Sequence, residues 1–311
     1  MKDDLKIIFM GTPEFAVPSL QTLVENGFNV VAVITAPDKP RGRGRKVIPS
    51  PVKEYALSQN IPVLQPTNLK NPDFNQTLKG YQAQLQVVVA FRMLPEMVWD
   101  MPGIGTFNLH ASYLPQYRGA APINWAIMNG ESETGITTFM IRHEIDTGSI
   151  LFQEKEPIRP DDTAGTLYER LMKKGSKLVL KTVQHIAKRE YELKPQEEHT
   201  NLKTAPKINR DTCKVNWNQP AESVRNFVRG LCPYPAAWTS LDTRAGEKMC
   251  KIYAVSNTGE KNPNLAPGHY ITDNHNYIHI QTQDYLLSID ELQIEGRKRM
   301  SIGEFLRGNT L

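Results

Sequence analysis

Apolar residues in the first half of the chain fall in short, unbroken runs. Residues 5–10 read as a buried strand that Gly11-Thr12-Pro13 breaks, and residues 14–25 carry a helical pattern. Residues 29–35 form a second run, rich in valine. Strand–helix–strand order, with runs apolar on both faces, predicts a parallel sheet with a crossover helix. Residues 85–91, Gly105–His110, 134–141 and 149–156 add strands, and residues 51–59 and 124–128 read as short helices. Asp161, Asp162 and Thr163 offer capping oxygens before a long helix that runs to about residue 188. On it Leu167, Leu171, Leu178 and Ile186 share one face, and Lys173, Lys177 and Lys181 another. The lysines read as a solvated face, with RNA binding as the sharper alternative.

The pattern then changes. Residues 191–207 are Lys, Pro, Gln, Glu, Asn and Thr with little periodicity, the composition of a linker. Beyond it a helix over 223–230 precedes apolar runs at 237–241, 249–255, 277–282 and 286–295. Short strands at roughly ten-residue spacing predict a small barrel. The expected architecture is an α/β domain over 1–190 with a doubly wound, mostly parallel sheet, a linker over 191–207, and a β-barrel domain over 208–311.

At 311 residues the chain has room for two such domains. With 40% hydrophobic and 23% charged residues it fits a soluble globular protein, and a net charge of +4 permits an anionic partner without demanding one. Cys213, Cys232 and Cys250 form no Cys-x-x-Cys pair, so a disulfide framework or zinc knuckle is not expected and the thiols read as packed. With no signal peptide and no run as long as a membrane span, the expectation is a cytoplasmic protein, off the membrane and monomeric.

The chemistry concentrates in one stretch, Phe107-Asn108-Leu109-His110-Ala111-Ser112-Tyr113-Leu114-Pro115-Gln116-Tyr117-Arg118-Gly119-Ala120-Ala121-Pro122, followed by Asp146-Thr147-Gly148. If Gly105–His110 is a strand, Asn108 and His110 point to one face, their Cα atoms roughly 6.5–7 Å apart. An Asn amide and an imidazole so placed suit attack on a carbonyl-like carbon, where a negative oxygen develops. No Gly-x-Ser-x-Gly or nearby cysteine supplies a nucleophile, which assigns that role to a substrate. Asp146 lies 36 residues after His110, so only the fold can join them; the alternative is an idle Asp-Thr-Gly turn. His143 and Glu144 are too few for a zinc site and read as loop.

Gly11-Thr12-Pro13 lacks the glycine fingerprint of a dinucleotide loop. Ala90-Phe91-Arg92-Met93-Leu94-Pro95 sits at the carboxyl end of a strand, where open parallel sheets bind ligands. Lys39, Arg41, Arg43, Arg45 and Lys46 put five cations in eight positions, with two glycines and a proline. That segment is expected to be neither helix nor strand; it reads as an RNA-backbone contact, or else as a solvated loop.

Asn108-x-His110, Ser112-x-Leu114-Pro115, Tyr117-Arg118-Gly119-Ala120-x-Pro122 and Asp146-Thr147-Gly148 together resemble the 10-formyltetrahydrofolate-dependent formyltransferases. Met10-Gly11-Thr12-Pro13-Glu14-Phe15-Ala16 and Arg229-Gly230-Leu231-Cys232-Pro233-Tyr234-Pro235-Ala236 are similar to the branch that acts on methionyl-tRNA. The resemblance runs from about residue 6 to about residue 305. It implies a Rossmann-like catalytic domain, an OB-like tRNA-binding domain, and formyl transfer from 10-formyltetrahydrofolate to the α-amino group of initiator methionyl-tRNA, without a metal. The implied catalytic residues are Asn108, His110 and Asp146. Those implied for folate are Ser112, Tyr113, Leu114, Pro115, Phe91, Arg92, Met93 and Leu94, and for tRNA Lys39, Arg41, Arg43, Arg45 and Lys46. Relatives often carry Leu where this chain has Tyr113, and Ile141-Arg142-His143-Glu144-Ile145 departs from their Asp-x-Gly-Leu. Rivals are a nucleotide-sugar or other small-amine formyltransferase, a folate hydrolase that uses water as nucleophile, and a non-catalytic RNA-binding protein.

Overall fold

The first strands are β1 (Ile7–Gly11), β2 (Val30–Ile34), β3 (Lys39–Arg41), β4 (Lys46–Ile48) and β5 (Val63–Leu64). They continue as β6 (Leu85–Val89), β7 (Gly105–His110), β8 (Arg118–Gly119), β9 (Glu133–Met140) and β10 (Ile150–Pro157). Seven of these make one sheet in the order β10-β9-β7-β6-β1-β2-β5. The pairs β1–β2, β1–β6, β6–β7 and β2–β5 are parallel, and β9 joins β7 antiparallel. The sheet is therefore parallel-rich and Rossmann-like, as the unbroken apolar runs require: Ile7, Ile8, Phe9 and Met10 of β1 are all buried. This computed structural model describes residues 4–41, 46–197, 201–243, 246–308 and 311.

Helices α1 (Val17–Glu25), α2 (Pro51–Ser58), α3 (Pro72–Gly80), α4 (Glu96–Trp99), α5 (Pro122–Met128) and α6 (Ala164–Lys188) lie among these strands. Leu167, Leu171, Leu178 and Ile186 of α6 are buried, while Lys173, Lys177 and Lys181 are exposed, as the solvated-face reading expects. α3 is mostly polar and gives little periodicity. It begins with Asn71, whose Oδ1 accepts the Asp73 and Phe74 amides at 2.8 and 3.4 Å, and with Pro72 at its first position.

The basic segment corrects its expectation. β3 and β4 are an antiparallel ribbon pairing Lys39 with Ile48, Pro40 with Val47 and Arg41 with Lys46. Proline is tolerated where a strand lacks an outer partner, and the β-branched Val47-Ile48 supply the return strand. Arg43 and Arg45 lie outside the described residues.

The chain divides into two compact units: Met1–Gly119, Gly135–Glu156 and Tyr168–Lys203 form one, and Ala120–Thr134, Pro157–Leu167 and Thr204–Leu311 the other. The second holds β11 (Thr204–Ala205), α7 (Ala221–Leu231), β12 (Ala237–Thr243), β13 (Gly246–Asn257), β14 (Tyr270–Thr272), β15 (Ile278–Gln281), β16 (Leu286–Ile294), β17 (Met300–Ser301) and α8 (Ile302–Gly308). Its curled antiparallel sheet runs β12-β13-β16-β15-β14, with β17 on β16. The apolar stripe of α7, Ala221, Val224, Val228 and Leu231, is buried in a core with Ile252, Ile280 and Leu292. Its other side lies so close to α5 that a Cβ on Gly230 would stand 2.6 Å from Met128 Cγ and 3.1 Å from the Asn124 carbonyl.

The stretch after α6 is not a bare tether. Lys194 and Ile150 exchange two backbone hydrogen bonds of 2.7 and 2.9 Å, and Tyr117 N–H donates to the Lys203 carbonyl at 2.7 Å.

Candidate active site

β7 places Asn108 and His110 on one face, as period-two alternation requires, with Asn108 half-buried and His110 buried. β7 is held between β6, where Val88 pairs with Asn108, and β9, where Thr137 pairs with His110. The Asn108 amide has no hydrogen-bond partner among the described residues. Solvent can reach a half-buried amide, and the group is available to donate to a bound ligand.

The two His110 nitrogens face different groups. Nε2 lies 2.9 Å from the Tyr117 carbonyl, and a carbonyl only accepts, so Nε2 carries a proton. In the neutral ring Nδ1 is then the bare nitrogen, 3.8 Å from Asp146 Oδ2. That distance is too long for a hydrogen bond, but it allows the carboxylate to stabilise an imidazolium once Nδ1 takes a proton. The fold thus brings the distant Asp146 to His110. Since Nε2–H is committed to Tyr117, the amide of Asn108 is the open donor of the pair.

Asp146 is held at both ends. Gly119 N–H donates to its Oδ2 at 2.9 Å, and Gln196 Nε2 donates to its carbonyl at 2.7 Å. Its backbone is left-handed, φ 55°, which a non-glycine residue keeps only when its surroundings impose it. Two residues on, a Cβ at Gly148 would lie 1.6 Å from the Met140 carbonyl oxygen, so the turn leaving β9 admits only glycine there.

The residues expected to meet folate are placed less uniformly. Ser112 is buried and donates its hydroxyl to the Gln116 carbonyl at 2.6 Å. Leu114 is buried in a small core with Phe139 and Ile150. Its N–H donates to Thr137 Oγ1 at 3.1 Å, and its carbonyl accepts from Gln153 Nε2 at 2.8 Å. Tyr113 is exposed, with Lys155 Nζ 5.3 Å from its ring centre. Phe91 and Leu94 pack partly buried against the core under β1 and β6, and Met93 is 72% exposed. Arg92 turns away to donate to the Thr67 carbonyl at 2.9 Å and to the Pro66 carbonyl. A surface depression of about 340 Å³ is lined by Leu64, Gln65, Thr67, Asn71 and Phe74 among others; none of Asn108, His110 or Asp146 reaches it. The convergent polar groups mark the candidate site better than the depression does.

Sequence reasoning missed Thr137, Gln153 and Gln196. Their partners are mostly backbone groups, which no residue pattern announces. The cysteines stay outside the chemistry: all three are buried, and burial raises each thiol, Cys250 to about 12. Among the described residues no group of three or more His, Cys, Asp or Glu could hold a metal, and no helix is long and apolar enough to cross a membrane.

A parallel-rich α/β sheet carrying an amide–imidazole–carboxylate centre, joined to a curled antiparallel sheet, defines a class. Residues 5–183 match the Formyl transferase family and residues 207–310 its C-terminal domain, and the chain belongs to that family. Within it, relatives about half identical over nearly the whole chain carry the name methionyl-tRNA formyltransferase. That of Parabacteroides distasonis is 52% identical over 316 residues, covering 99% of this chain and 96% of the relative. That of Bacteroides fragilis is 51% identical over 310 residues, with the same coverage. Among solved structures, an N-formyltransferase from Helicobacter canadensis, in complex with folinic acid and dTDP-3-aminofucose, shares the fold with a TM-score of 0.69 at 23% identity, over 92% of this chain and 98% of that one.

Proposed function

We propose that this chain transfers the formyl group of 10-formyltetrahydrofolate to the α-amino group of the methionine esterified to initiator tRNA. One observation carries the chemistry: the Asn108 amide, without a partner among the described residues, stands on the same strand face as an imidazole whose bare Nδ1 looks at Asp146. The acceptor rests on relatives about half identical over nearly the whole chain.

Bound 10-formyltetrahydrofolate supplies the formyl carbon and the departing N10, and the methionyl amine is the nucleophile. Asn108 donates its amide N–H to the oxygen that becomes negative, a contribution of about 10²–10³ in rate. His110 accepts the amine proton at Nδ1, and Asp146 balances the charge that forms on the ring. His110 then returns the proton to the leaving nitrogen. One C–N bond forms, one breaks, and the proton passes from amine to N10.

Phe91, Met93 and Leu94 after β6 and the Ser112–Pro115 segment after β7 line the folate site in this reading. The carboxyl-end position of both segments supports it, and the folinic acid in the Helicobacter canadensis complex supports a folate donor without locating it. Arg92, tied to residues 66 and 67, shapes the wall rather than binding the ring. The β3–β4 ribbon, with Lys39, Arg41 and Lys46 and with Arg43 and Arg45 in its sequence, meets the tRNA backbone.

The test is formyl transfer from 10-formyltetrahydrofolate to initiator methionyl-tRNA, with uncharged tRNA as control. Formylation of the charged tRNA alone is expected. Formylation of a nucleotide amino-sugar instead overturns the acceptor, and hydrolysis to formate with either tRNA overturns the transfer.

A further inference from the structure

Gln196 lies in the polar stretch that reads as a linker, yet its side chain is the most fully bonded group near Asp146. Its Nε2 donates to the carbonyls of Asp146 and Gly148 at 2.7 and 2.9 Å. Its Oε1 accepts from Arg118 Nε and Nη2 at 3.0 and 2.6 Å. The neighbouring backbone is itself anchored through Lys194 to Ile150. The bonds close a ring: Arg118 holds Gln196, Gln196 holds the Asp146 backbone, and Gly119, next to Arg118, holds the Asp146 carboxylate at 2.9 Å. A carboxamide alone among the side chains of this length offers two N–H donors and an acceptor together.

We propose that Gln196 is a positioning residue for formyl transfer. It fixes the left-handed Asp146 so that its carboxylate faces His110 Nδ1, an inference that rests on the proton-transfer role given to that pair above. The Gln196 side chain touches neither substrate. Its effect passes through Asp146, and misplacement of a reacting group by about 1 Å is enough to cost roughly 100-fold in rate.

The experiment compares Gln196→Met, Gln196→Glu, Asp146→Asn and the double variant Gln196→Met/Asp146→Asn, all in the full chain, by steady-state formylation of methionyl-tRNA and by thermal unfolding. Gln196→Met keeps the length and removes all four bonds. Gln196→Glu keeps the acceptor for Arg118 but lacks the donors for residues 146 and 148, so it remains informative if the Met variant fails to fold. Each is expected to lower kcat by about 10- to 100-fold with KM for both substrates within about twofold. Gln196→Glu should still fold, with a melting point somewhat below wild type because a carboxylate oxygen replaces the donor to two carbonyls. The double variant should be no slower than Asp146→Asn alone, since the support is redundant once its object is gone. Losses that multiply in the double variant would show a general structural role and overturn the inference, as would wild-type kcat in both Gln196 variants while Asp146→Asn is slow. Full activity of Asp146→Asn is a different failure: it removes the role assigned to Asp146 itself.

Discussion

In the proposed mechanism His110 divides its two nitrogens between architecture and reactivity. Nε2 belongs to Tyr117, and Nδ1 is left for a proton with Asp146 behind it. Asn108, without a partner among the described residues, completes the centre. Asn108→Ala is expected to lower kcat by about 10²–10³ with little change in KM, as the loss of a donor used only in the transition state. His110→Ala should act in the same direction, by about 10²–10⁴, and steady-state kinetics with methionyl-tRNA varied would show it. Near-normal kcat in both would refute the centre. Much of it was legible in the chain. Two residues at spacing two in a strand must share a face, whatever the rest of the fold does. Asp146 needed the family resemblance, because nothing local ties it to His110. Gln196 was illegible, since its ligands are the carbonyls of residues 146 and 148 and every residue has a carbonyl.

Elements set the frame within which those residues meet. β10 is clamped to α6 by Glu156, which receives Arg170 Nε at 2.9 Å and Lys174 Nζ at 2.7 Å. Burial pushes the Glu156 carboxyl up, but the hydrogen bonds from Lys174 and Arg170 outweigh it and leave the group below the ordinary range. A carboxylate depressed in the folded state stabilises above its unfolded pKa of about 4.3 and loses that contribution as pH falls through the folded value. Glu156→Gln should therefore be less stable than the parent by a constant amount from neutral pH down to about 5, with the gap closing below about 4. Urea unfolding at several pH values measures it, and a gap that widens in acid contradicts the ion-pair account. In the second unit, Gly230→Ala should cost roughly 1–3 kcal/mol by forcing α7 away from Met128 and Asn124, read as a lower unfolding midpoint. Long elements were readable because a sheet core needs unbroken apolar runs and a surface helix needs a stripe. The β3–β4 ribbon escaped, because Pro40 and the glycines argue against strand while cross-strand pairing decides for it.

At the scale of the molecule, a net charge of only +4 leaves no broad field to attract nucleic acid, so tRNA affinity should depend on local cations. Replacing Arg41, Arg43 and Arg45 together with glutamine should raise KM for methionyl-tRNA, leave KM for folate unchanged and flatten the salt dependence of the tRNA term. An unchanged salt slope would remove the ribbon from the interface. Two-part organisation was visible in the shift from long apolar runs to short spaced ones. The interleaving of the units was not, because composition reports segments and not their neighbours in space. The first unit is assembled from three separate pieces of chain, the last ending at Lys203. A ribosome that has released the strand bearing His110 has yet to make the residues that steady it. Nascent chains therefore wait with an unfinished first unit until some two-thirds of the polypeptide has emerged, the interval in which chaperones and proteases compete for them.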